Sequence, residues 1–240
     1  MSLRIPPIEA ALKFIDNYIP NCDLAILGGS IIRGDYTNTS DLDIVVICND
    51  ENAPYRESFI EYNWPIELFV HTKASLYEYF NRDCKRARPS LPRMCWEGVV
   101  IKDKLGYSEE IKKEAKRLLD MGPPKWEHHE IEVSRYGISE LLYDLEGSID
   151  YIEDIFTVNK LIYSIHEFVL RTNNYWIGEG KWVWRALQQY DINFCSQLAQ
   201  ALNNFYKNHN KDDLINLCDE VLRPYGGRLF KGFSIGKNQK

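Results

Sequence analysis

Residues Leu42 to Cys48 form a nearly unbroken apolar run rich in β-branched side chains. Side chains on a strand alternate between its two faces, so a run that is apolar at successive positions has to be covered on both sides. The run therefore predicts a central strand in a layered sheet, and the rest of the N-terminal half supplies partners for it. Leu24 to Leu27 reads as a short buried strand ending in Gly28-Gly29-Ser30. Pro65 to His71 reads as another, with Arg56 to Tyr62 as its hairpin partner across Asn63-Trp64. Pro65 sits at a strand start, where a missing N–H costs least. Gly98 to Lys102 offers one more strand.

Helical spacing accounts for the other segments. Ile8, Ala11, Leu12, Ile15 and Ile19 predict an amphipathic helix over Pro7 to Tyr18, and further helices are expected from Ala74 and around Ile111 to Leu119. The basic stretch Arg82, Lys85, Arg86, Arg88 and Arg93, broken by Pro89 and Pro92, reads as a solvated face. Met121-Gly122-Pro123-Pro124 combines a helix stop with a rigid spacer and marks the expected boundary between a domain at 1–122 and a second at 125–240. Everything beyond it reads as helix. Ile138, Leu141, Leu142, Leu145, Ile149 and Ile152 form one apolar stripe and Leu161, Ile165, Phe168 and Val169 another; two or three shorter helices follow Gly180. Trp176, Trp182 and Trp184 are assigned to the helical core, and the tail after Arg228, ending Lys237-Asn238-Gln239-Lys240, is expected to fray. The fold class expected is α+β, with a mixed sheet flanked by helices followed by an all-helical domain.

Composition removes several function classes. A net charge of −6 argues against a surface that coats nucleic acid nonspecifically. The cysteines, at 22, 48, 84, 95, 195 and 218, show no paired spacing, so neither a zinc site nor a disulfide scaffold is indicated. Met1 to Pro7 has no signal-peptide pattern and no run approaches bilayer-spanning length, so the expectation is a soluble, reduced, cytoplasmic protein with no membrane partner.

The chemistry-bearing stretch runs from Gly28 to Val46. Asp41 and Asp43 are two apart at a strand entry, so both carboxylates face the same way. At an assumed separation of about 6 Å and an effective dielectric of about 20, they repel by roughly 3 kcal/mol. Hard divalent cations answer that repulsion, because magnesium binds through one or two carboxylates and completes its shell with water and phosphate oxygens. The small residues Gly28, Gly29 and Ser30 let backbone N–H groups and a hydroxyl approach phosphates, with a helix dipole assisting if a helix begins there, and Arg33 adds positive charge. Glu67, on the expected third strand, is placed to reach the same cluster or to deprotonate an acceptor hydroxyl. His71 further along reads as a strand-end histidine with a local partner.

Taken together, Gly29-Ser30, a gap of about ten residues, Asp41-Leu42-Asp43 and the later Glu67 resemble the signature of the DNA polymerase β-like nucleotidyltransferase superfamily. The continuation to Arg33-Gly34 and the Ser40 before Asp41 are similar to its small bacterial branch, which includes aminoglycoside and lincosamide nucleotidyltransferases. The resemblance covers about the first hundred residues. It implies a catalytic domain followed by a helical domain that closes over nucleotide and acceptor, a nucleoside triphosphate substrate, and two Mg2+ ions held by Asp41, Asp43 and Glu67. It also implies nucleotide-binding roles for Gly28, Gly29, Ser30, Arg33, Ser40 and Lys181, the last with Arg185 four residues along on the same helix face. The activity implied is transfer of a nucleoside monophosphate, AMP first among them, to a hydroxyl of a small molecule such as an antibiotic. Glu140 and Asp144, four apart on the long helix, are alternative general bases to Glu67. The competing reading is a regulatory, antitoxin-type module acting on or binding a protein; the helical half lacks the Arg-x4-His pattern of the ribonuclease partners in such systems.

Overall fold

The computed structural model describes residues 4–34 and 36–236. Asp35 and the segment Lys237–Lys240 lie outside the described residues, as therefore does the end of the tail expected to fray. The described chain divides into two compact units, residues 1–122 and 123–240. The fold class is α+β: a mixed five-stranded sheet with helices in the first unit and helices alone in the second.

In the first unit, α1 (Pro7–Tyr18) leads into β1 (Leu24–Gly28), the one-turn helix α2 (Ser30–Arg33) and β2 (Leu42–Ile47). A hairpin of β3 (Tyr55–Glu61) and β4 (Trp64–His71) follows, then α3 (Lys73–Lys85), α4 (Ser90–Glu97), β5 (Val99–Asp103) and α5 (Ser108–Met121). The sheet order is β3-β4-β2-β1-β5, with β2 and β4 parallel and every other pair antiparallel. β2 is thus central. Its Leu42, Ile44 and Val46 pack with Ala25, Leu27, Ile66, Leu68 and the α1 residues Ala11, Phe14 and Ile15. Its Val45 and Ile47 pack on the opposite face with Phe80, Leu91, Cys95, Ile111 and Ala115 from α3, α4 and α5. That two-sided cover is what the apolar run requires.

Several local expectations need correction. α1 buries Ala10, Ala11, Phe14 and Ile15 and leaves Ile8 and Leu12 exposed, so its inward stripe is rotated from the expected one toward the bulkier Phe14. The hairpin turns at Tyr62-Asn63, both in the left-handed region (φ 53° and 62°), as a two-residue turn between right-twisted strands demands. The turn lies one residue earlier than predicted, which shifts each cross-strand partner by two. α4 was not foreseen: Pro89 precedes it and Pro92 lies in its first turn, where backbone N–H groups have no intrahelical acceptor. The basic stretch around it is compensated, with Arg86 on Asp83, Arg93 beside Glu97 and Arg82 over the Tyr79 ring.

The second unit contains α6 (His128–Gly147), α7 (Tyr151–Thr172), α8 (Lys181–Tyr190), α9 (Ile192–Asn208), α10 (Asp212–Leu222) and a short 3-10 turn at Arg223–Tyr225. The expected single stripe from Ile138 to Ile152 breaks after Leu145, because α6 ends at Gly147 and the Asp150 carboxylate accepts from the Ile152 N–H to start a new helix. Ile149 and Ile152 are consequently exposed. The tryptophans assigned to the core are not fully buried: Trp184 is exposed and Trp176 and Trp182 half-buried, while Val183 and Leu187 fill the interior of α8. The start of the tail is tied down. Arg228 bonds to Glu146 and Asp219, the Leu229 N–H donates to Ser139 Oγ, and Phe233 stacks on Tyr136. No helix among the described residues is long and apolar enough to cross a membrane.

Two glycines separate packing from propensity. A Cβ at Gly98 would lie 2.4 Å from Ile26 Cγ2 and 2.5 Å from the Met94 carbonyl oxygen, whereas one at Gly137, inside α6, would meet nothing within 4 Å. Gly98→Ala is expected to destabilise the first unit by about 1–3 kcal/mol, and Gly137→Ala to stabilise the second by about 0.5–1 kcal/mol. Urea titration of the whole chain checks both; an unchanged midpoint for Gly98→Ala contradicts the packing described.

Candidate active site

The site is assembled by strand register at one end of the sheet. Asp43, the second residue of β2, has Gly28 of β1 as its antiparallel partner and Glu67 of β4 as its parallel partner, and Glu67 in turn faces Ser58 of β3. Residues paired this way share a face, so Gly28, Asp43, Glu67 and Ser58 form one row across four strands. Asp41 immediately precedes β2 and shares the face of Asp43. One carboxylate oxygen from each of Asp41, Asp43 and Glu67 can be chosen so that all lie within 4.8 Å of one another, and all three residues are partly buried.

The glycines make room for this row. A Cβ on Gly28 would press to 3.0 Å on Met94 Cβ of α4. At Gly29 the constraint is tighter: its φ is 77°, a region L-residues avoid, and a Cβ there would fall 2.0 Å from Asp43 Oδ2. Asp43 therefore holds its place because residue 29 lacks a side chain. Ser30, nearly buried, opens α2, which is a single turn closed by Gly34. Such a turn contributes free N–H groups at its start rather than a macrodipole of any length.

The remaining expected residues have defined places. Arg33, at the end of α2, pairs with Glu97 of α4 at 3.1 Å. Ser40 closes the turn before Asp41: its Oγ accepts from the Thr37 N–H at 2.9 Å and its N–H donates to the Thr37 carbonyl. His71 is buried, with Ser75 Oγ 3.4 Å from its Nδ1 and the Tyr79 ring edge-on, and burial lowers its pKa to about 4. Lys181 and Arg185 belong to the second unit, where Lys181 is exposed at the start of α8 and Arg185 lies 5.0 Å over the Trp182 ring. Glu140 and Asp144 are exposed on α6, and Glu140 accepts from the Tyr136 hydroxyl at 2.6 Å.

One residue beside the cluster escaped the sequence reading. Arg56 of β3 pairs with Glu67, and its guanidinium carbon lies 5.0 Å over the Phe69 ring. The signal lay in the hairpin register: with the turn at Tyr62-Asn63, Arg56 is opposite Phe69 and diagonal to Glu67.

Electrostatics follow from the crowding. Asp43 is pushed up to about 6, first by burial and then by the charges of Asp41 and Glu67, with Arg56 and Arg33 acting in the opposite sense. A partly buried carboxylate raised by desolvation and two carboxylate neighbours favours an added positive charge, and the donors are hard oxygens. The three residues thus fit a divalent cation of the magnesium type.

The family model of the nucleotidyltransferase domain matches residues 9–120. No curated protein matches the chain. Among solved structures, a nucleotidyltransferase-like protein from Exiguobacterium sibiricum 255-15 is similar over 90% of this chain and 74% of that one, at 14% identity and a TM-score of 0.49.

Because the folded pKa of Asp43 lies above its ordinary value of 3.8, the folded protein retains the proton more readily between 3.8 and about 6. The resulting penalty on folding is absent below that window, grows as pH rises through it and is complete above it. Asp43→Asn cannot ionise. It is expected to stabilise the first unit at about pH 8 in EDTA, by up to about 3 kcal/mol, with the gain shrinking toward about pH 4. Thermal melts across pH check this; a variant no more stable than the parent at about pH 8 contradicts the electrostatics.

Proposed function

We propose that this chain, whose residues 9–120 match the nucleotidyltransferase-domain family model, is a polymerase β-like nucleotidyltransferase that transfers a nucleoside monophosphate from a nucleoside triphosphate to a hydroxyl of a small molecule. The observation that carries the reading is the convergence of Asp41, Asp43 and Glu67, with an oxygen of each within 4.8 Å of the others, beside the Gly29-Ser30 turn. Three acids so close are unfavourable for folding alone, and divalent-ion chemistry gives them a purpose.

In this reading the acceptor oxygen attacks the α-phosphorus, the bond between the α-phosphorus and the bridging oxygen breaks, and pyrophosphate leaves with the electron pair. Asp41, Asp43 and Glu67 would hold Mg2+, which supplies Lewis-acid polarisation of the hydroxyl and charge neutralisation on the triphosphate. The N–H groups at the start of α2 and the Ser30 hydroxyl donate to phosphate oxygens. Gly29 leaves open the approach that a side chain would block, and Ser40 fixes the turn that delivers Asp41. Arg33 and Lys181 are proposed as further cations for the triphosphate. Glu67 is the proposed acceptor of the hydroxyl proton, with Glu140 and Asp144 the alternatives that mutation would separate from it.

The test incubates the whole chain with each nucleoside triphosphate, MgCl2 and a panel of aminoglycosides, lincosamides and candidate proteins, reading pyrophosphate release and acceptor mass. A mass gain of one nucleoside monophosphate on a small molecule is expected, with Asp41→Asn and Asp43→Asn slower by at least about 100-fold. Undiminished turnover in Asp43→Asn contradicts the assignment, and mass gain on proteins alone replaces the small-molecule acceptor by a protein one.

A further inference from the structure

We infer that Arg56 is a built-in competitor for Glu67, so that a divalent cation gains the full use of the third carboxylate by displacing a guanidinium from Oε2. The inference rests on reading the cluster as a cation site and goes beyond it in assigning a role to a residue outside the cluster. Register fixes the geometry. Arg56 stands opposite Phe69 on the β3–β4 hairpin, and Glu67 is the next residue of β4 on that face. Arg56 therefore lies over the Phe69 ring and reaches diagonally to Glu67 Oε2. Ring and carboxylate hold the same guanidinium.

The chemistry of the pair makes it a competitor rather than a bystander. The Arg56 Nη2 group donates to lone pairs of Glu67 Oε2, and a hard cation draws on carboxylate lone pairs in the same way. Glu67 is the member of the cluster paired to Arg56, and its side chain is 28% exposed. The Arg56 side chain is 56% exposed. Water screens such a pair and keeps it exchangeable. Arg56 thus sets how tightly the cluster holds a cation without being a catalytic residue; it is a positioning residue acting through Glu67.

The test uses Mn2+ alone, without nucleotide, titrated into the full chain with free Mn2+ read by electron paramagnetic resonance. Arg56→Gln is expected to bind Mn2+ about three- to five-fold more tightly than the parent, and Arg56→Lys, which keeps the charge but loses the planar guanidinium that lies over Phe69, to fall between them. Removing a positive charge also changes the local field, so the substitution is repeated in Glu67→Gln. Competition predicts that the gain largely disappears in that background. Equal gains in both backgrounds, or Mn2+ binding by Arg56→Gln no tighter than the parent, overturn the inference and leave the cation-site reading standing. An absence of saturable Mn2+ binding by the parent and Arg56→Gln alike overturns both.

Discussion

The parallel pairing of β2 with β4 is the constraint on which the site depends. It makes Asp43 and Glu67 Cα partners, and adjacent strands lie about 4.8 Å apart, so the two acids cannot separate without the sheet coming apart. Neither acid chooses its neighbour: the choice is made by Leu42, Ile44, Val46, Ile66 and Leu68 on one face and Val45 and Ile47 on the other, all buried. A slip of one residue would turn that apolar set to the wrong faces, so the hydrophobic layers impose the register and the register imposes the repulsion.

Local features answer that repulsion without removing it. Gly29 gives the Asp43 carboxylate a place that any side chain would occupy, while Arg56 and Arg33 lend positive charge from either side. Burial and two acidic neighbours outweigh them, and Asp43 remains shifted upward. The end of the sheet therefore stores unfavourable electrostatic energy of a kind that a divalent cation would relieve, a local conflict of the sort expected at functional sites.

Much of this was legible in the chain itself, for reasons that differ from residue to residue. The central strand was readable because an apolar run at successive positions has one stable environment. The shared direction of Asp41 and Asp43 followed from the two-residue alternation of a strand. The adjacency of Glu67 to Asp43 was not local information, since it depends on a parallel pairing across a hairpin; an acid on the expected third strand pointed to it, and the family resemblance reinforced it, but neither fixed the register. Arg56 was missed because a turn placed one residue late at Asn63-Trp64 puts Ile60 rather than Ser58 opposite Glu67, moving Arg56 out of reach. α4 was hidden by Pro89 and Pro92, which look like breakers until they are placed at a helix start. In the second unit, Ile149 and Ile152 continued a helical period across a break that the Asp150 cap imposes. Periodicity carries no information about which turn of a long pattern is interrupted, and aromatic content alone did not reveal that Trp184 faces solvent.

The most direct measurement is the anomalous scattering of manganese in crystals of the chain grown with MnCl2 and a non-hydrolysable nucleoside triphosphate. The account predicts a manganese peak within coordination distance of oxygens from Asp41, Asp43 and Glu67, with the triphosphate against the Gly29-Ser30 turn. Well-ordered carboxylates with no manganese between them, at concentrations that saturate the protein in solution, would contradict it.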